Sequence, residues 1–86
     1  MTTFRITDFH QKQRNAAILA AVDLQPDDYH QTIHNAAAAL LAQFPATAHN
    51  WKYHTQWMDG SSCWLNWNER QTAVVTPSGD INLASR

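Results

Sequence analysis

A single cysteine, Cys63, is all this chain carries, which excludes an internal disulfide and a Cys-rich zinc site. Two glycines, Gly60 and Gly79, cannot build a Gly-rich phosphate loop. No repeat, low-complexity tract or linker divides the 86 residues. Charge is scarce at 15%, and no formally charged residue falls between Tyr29 and Trp51. Six Lys/Arg against seven Asp/Glu leave no basic surplus. Arg5, Lys12, Arg14, Lys52, Arg70 and Arg86 are scattered, which disfavours nucleic acid as the partner. The densest apolar run, Ala16 to Val22, is too short to cross a bilayer, and the first residues lack an apolar leader core. A cytoplasmic protein with no membrane role is the expectation.

What is present is a 44% hydrophobic chain in which all four tryptophans lie between Trp51 and Trp67. The patterning predicts one α+β domain over residues 1–86. Its architecture is two helices packed on one face of a three- to four-stranded antiparallel meander. Asp8 is a candidate cap for a helix over about residues 8–23, with Phe9, Ala16, Ala17, Ala20, Ala21 and Leu24 on its apolar stripe. A second helix spans about residues 26–44, opened by Pro26, Asp27 and Asp28 and stopped by Pro45. Tyr29, Ile33, Ala36, Ala37, Leu40, Leu41 and Phe44 form its stripe. The uncharged opposite side, with Asn35, Ala38 and Ala39, is a candidate homodimer contact.

Alternation and turn residues place strands at about residues 50–58, 62–67, 72–76 and 80–84, and residues 2–6 are a candidate edge strand. Pairing Met58 with Ser62, Trp67 with Thr72 and Thr76 with Ile81 gives three registers that agree on one buried face. That face holds Trp51, Tyr53, Trp57, Cys63, Leu65, Trp67, Val74, Ile81 and Leu83. Trp64 then points to solvent, beside Val75, Met58, His54, Gln56, Lys52 and Asn66. An aromatic anchor, a thioether and a polar rim have the composition of a protein-contact hot spot. The competing explanation is a terminus folded over Trp64.

Other chemistry is sparse. His30 and His34 sit one helical turn apart, a weak candidate metal pair lacking a third ligand at diagnostic spacing. Gln31 stands where a His-Glu-x-x-His metallopeptidase has its general base. Cys63 falls on the buried face, where a thiol is inert, and no nucleophile elbow is visible. No cofactor and no catalysis are expected. The expectation is a small non-enzymatic protein acting by binding another protein, as inhibitor, adaptor or regulatory subunit. Accessory proteins of phages and mobile elements that inhibit host systems share this size and plainness. The alternatives are a nucleic-acid-associated regulator using Trp64, His54 and Lys52, and a metal- or small-ligand-binding protein using His30 and His34.

Overall fold

The computed structural model describes residues 14–21 and 28–85. The expected edge strand at residues 2–6, the Asp8 cap, and Phe9, Leu24 and Pro26 lie outside them. Within them, helices α1 (Ala16–Ala21) and α2 (Asp28–Gln43) pack on a four-stranded antiparallel meander. Its strands are β1 (Lys52–Gln56), β2 (Ser62–Asn66), β3 (Gln71–Val75) and β4 (Ile81–Ser85), in that spatial order.

Residues 14 and 15 fall inside the helix expected over residues 8–23 but are not helical. They pair antiparallel with the free edge of β1: Tyr53 N–H donates to Arg14 C=O at 3.1 Å and Ala16 N–H to Trp51 C=O at 2.8 Å. Asn15 then starts α1, its Oδ1 accepting from Ile18 N–H at 2.8 Å. An asparagine offers the backbone a local partner, so it favours the cap over the helix interior. The described part of the first helix therefore begins at Ala16. A bond from His34 Nε2 to Ala20 C=O, 2.8 Å, ties α1 to α2.

Helix α2 buries Ile33, Ala36, Ala37 and Leu40 of the expected stripe, while Leu41 is exposed and the Tyr29 side chain lies outside the described atoms. Small residues on both helices let them approach closely: Ala16 and Leu19 are buried, with Ala17 and Ala20 packed alongside. Phe44 leaves the helix to pack on Trp51, ring centroids 5.5 Å apart. A 3₁₀ turn, Ala48–Asn50, then delivers the chain to β1.

The sheet corrects the expected register. Gly60 and Gly79 have φ of 93° and 95°, a region closed to most side chains. Each takes the last place of a three-residue loop, residues 58–60 and 77–79. Trp57 N–H donates to Ser61 C=O at 2.8 Å and Gly60 N–H to Trp57 C=O at 3.1 Å. The bonds Thr76 N–H to Asp80 C=O and Gly79 N–H to Thr76 C=O, each 2.9 Å, repeat the pattern. A type I turn closed by a left-handed glycine is a standard three-residue hairpin loop. Expected loops placed those glycines one position earlier. Ile81 consequently faces Val75 rather than Thr76, and Leu83 faces Ala73. A bulge between Tyr53 and Thr55 adds a further slip, so Tyr53 faces Trp64 rather than Trp67.

An odd slip exchanges the two faces of a strand. Tyr53, Trp64, Ala73 and Val75 therefore share the face beneath the helices, all at most 1% exposed. Between β2 and β3 the slide is even: Cys63 faces Val74 and Leu65 faces Thr72, so their shared face is as expected. It is not the face the helices cover. Trp57 and Trp67 are 45% and 61% exposed. Leu83, expected in the core, now lies on the side of Ala73 but at the edge strand, and is 46% exposed. Trp64 lies mid-strand in β2, where a helix layer can cover a whole indole, while Trp57 and Trp67 flank the strands. The buried indole N–H of Trp64 donates to Ser62 Oγ at 2.7 Å, and its ring meets Tyr53 edge-on at 5.6 Å.

Two stability outcomes follow from this geometry. Urea unfolding of Trp64→Ala should show a loss of about 3–5 kcal/mol, whereas Trp67→Ala should cost under about 1 kcal/mol. Gly60→Ala should cost more than Gly79→Ala although the backbone angles match. An added Cβ at Gly60 lies 3.0 Å from Pro77 Cγ, while at Gly79 nothing lies within 4 Å. Strain alone should cost about 1–2 kcal/mol at Gly79, and equal losses at the two positions would refute the contact argument.

Candidate docking face

Alternation from the observed register places Lys52, Thr55, Cys63, Leu65, Thr72 and Val74 on the sheet face turned away from the helices. His54 stands at the bulge and is exposed. Trp67 opens the turn after β2, and Trp57 follows β1. A hollow of about 430 Å³ is lined by Lys52, His54, Cys63, Leu65, Trp67 and Thr72, among others. Its floor is apolar, with Leu65 half-buried and Cys63 only 8% exposed. Its rim combines an indole, an ammonium, an imidazole and a hydroxyl. Among the described residues, none of those lining it is acidic.

Local sequence explains the placement of Trp67. Residues 67–70 form the turn between β2 and β3, with Arg70 at φ 54°. Asn66 is buried and its Oδ1 accepts from Glu69 N–H at 3.2 Å, holding the turn from beneath. The ring of Trp67 thus leaves the strand just where the helix layer cannot follow it.

The seven residues expected to form one contact patch are dispersed. Trp64 and Val75 are fully buried in the core, and Asn66 is 1% exposed. They cannot form a solvent-facing surface, because the helices cover their side of the sheet rather than the side of Cys63 and Leu65. Gln56 is half-buried; its amide atoms are buried without a hydrogen-bond partner among the described residues. Met58 is fully exposed, but at the tip of the first hairpin. Only Lys52 and His54 remain beside the hollow. Trp67, Leu65 and Thr72 replace the lost members. The signal that could have identified Trp67 was its position immediately before Asn68-Glu69-Arg70, a run of turn-forming and charged residues.

The histidine pair gives no metal centre among the described residues, where no group of three or more His, Cys, Asp or Glu is placed to hold an ion. His34 is engaged with Ala20, and the His30 side chain lies outside the described atoms. Cys63 forms no disulfide and is buried, as expected. Among the described residues, no helix is long and apolar enough to cross a membrane. Comparison of the chain with protein-family models, with curated proteins and with solved structures gives no match.

The interhelical bond makes His34 a structural residue. His34→Ala should lower stability by about 1–2 kcal/mol, because it strands a carbonyl at the junction of α1 and α2. Thermal unfolding of the wild type should be unmoved by equimolar zinc; a rise in Tm would reinstate the metal reading.

Proposed function

We propose that this chain is a non-enzymatic binding module that works by protein–protein contact through the outer sheet face. The observation that carries this is the exposure of Trp57 and Trp67 on a face where Leu65, Cys63 and Val74 already provide an apolar floor. Trp57 and Trp67 stand at opposite ends of β2, and large apolar side chains exposed along one sheet face of a small domain mark an interaction surface. Indoles are strong anchors because they bury a large area at little entropic cost and keep a donor for the rim. The partner surface that fits presents an apolar side chain to the hollow and a carboxylate to Lys52 and His54. As a regulatory subunit, adaptor or inhibitor, the chain needs nothing more than such a surface.

The alternative user of an indole beside a cation is a nucleobase. Base stacking draws its affinity from a basic groove, and Lys52 is the only formal cation among the described residues lining the hollow. Capture of partners from extracts of the cells that make the protein distinguishes the two. A protein partner should be retained at about 0.5 M salt and bind at least 10-fold more weakly to Trp67→Ala, with Tm unchanged. Equal retention by Trp67→Ala, or nucleic acid released steeply by salt, would overturn the proposal.

A further inference from the structure

The two edges of the sheet are not alike. The β1 edge is occupied by residues 14–16, interrupted by a bulge and charged at Lys52. The β4 edge is unpaired among the described residues. Edge strands that stay single usually carry a charge, a proline or a bulge. Ile81-Asn82-Leu83-Ala84-Ser85 has none of these, and its ladder to β3 runs without a shift.

The β4 strand also matches itself. The bond from Thr76 N–H to Asp80 C=O closes the β3–β4 hairpin, and hydrogen-bonded and non-bonded pairs alternate from there. Asn82 and Ala84 therefore turn their backbone groups towards β3, while Ile81, Leu83 and Ser85 turn theirs outward. These three positions are symmetric about Leu83. Leu83 itself is 46% exposed although it lies on the same side of the sheet as Trp64 and Ala73.

We propose that β4 pairs with β4 of a second copy of this chain, antiparallel about a two-fold axis at Leu83, continuing the sheet across the dimer. In that register Leu83 of one protomer faces Leu83 of the other and Ile81 faces Ser85, so every outward donor meets an outward acceptor. The two leucines come together on the helix side. No like charges oppose the pairing, as they would for a strand carrying Lys or Glu. A ladder this short buries less than the roughly 1,200 Å² of a standard interface, so the dimer is concentration-dependent. It uses none of the outer-face residues and stands independently of the docking proposal.

Sedimentation of the full chain from about 1 to 500 µM reads this directly. The mass should rise from 9.8 kDa towards twice that value. Leu83→Pro removes an N–H that points outward, so the ladder to β3 survives while the intermolecular one does not. Leu83→Lys places two cations at the axis and decides the matter if the proline variant misfolds. Both should weaken association at least 10-fold, whereas Trp67→Ala should not. A wild type that stays at 9.8 kDa throughout, or a dimer undiminished in the Leu83 variants, would overturn the proposal.

Discussion

The left-handed backbone at Gly60 and Gly79 sets the phase of the meander. Only the last position of each three-residue loop takes that conformation, so each glycine fixes which residues close its hairpin. From the closing pair outward, side chains alternate without freedom to drift. Together with the bulge in β1, this puts Tyr53, Trp64, Ala73 and Val75 under the helices and leaves Leu65 and Trp67 on the other side. The composition of the core and of the free surface both descend from those loops.

The core that results is economical. Ala36 and Ala37 of α2, with Ala16 of α1, bring helix backbones close, and Ala73 opens space in the sheet beside Trp64. One indole with its donor satisfied by Ser62 fills the centre, and Tyr53 and Trp51 extend it towards α1 and the 3₁₀ turn. A core built from small residues around a few large rings has little slack for relocating a ring. The uncovered face is apolar because two further indoles, Trp57 and Trp67, lie at the ends of strands on the side of the sheet away from the helices.

Much of this was legible in the residues. The periodicity of Ile33, Ala36, Ala37 and Leu40 and the stop at Pro45 locate α2, and the alternation from Lys52 onward gives a meander of the right order. Even the grouping of Cys63, Leu65 and Val74 on one face was readable. Which face becomes the core was not, because it turned on the side the helices cover and on the one-residue slips at the bulge and at Gly79. Counting apolar residues favoured the wrong side, since Trp57 and Trp67 weigh heavily there while sitting at strand ends. Lys52 and His54, expected on the outer side, line the hollow there; Trp64, expected beside them, is in the core.

The core and the docking face both require the indole at position 64 to be inside and the one at 67 to be outside. A soluble paramagnetic agent broadens NMR signals in proportion to their exposure, and four indoles can be followed in one spectrum. The signals of Trp57 and Trp67 should broaden at low agent concentration, with Trp51 and Trp64 spared. Broadening of Trp64 while Trp67 stays sharp would contradict the register, the core and the docking face together.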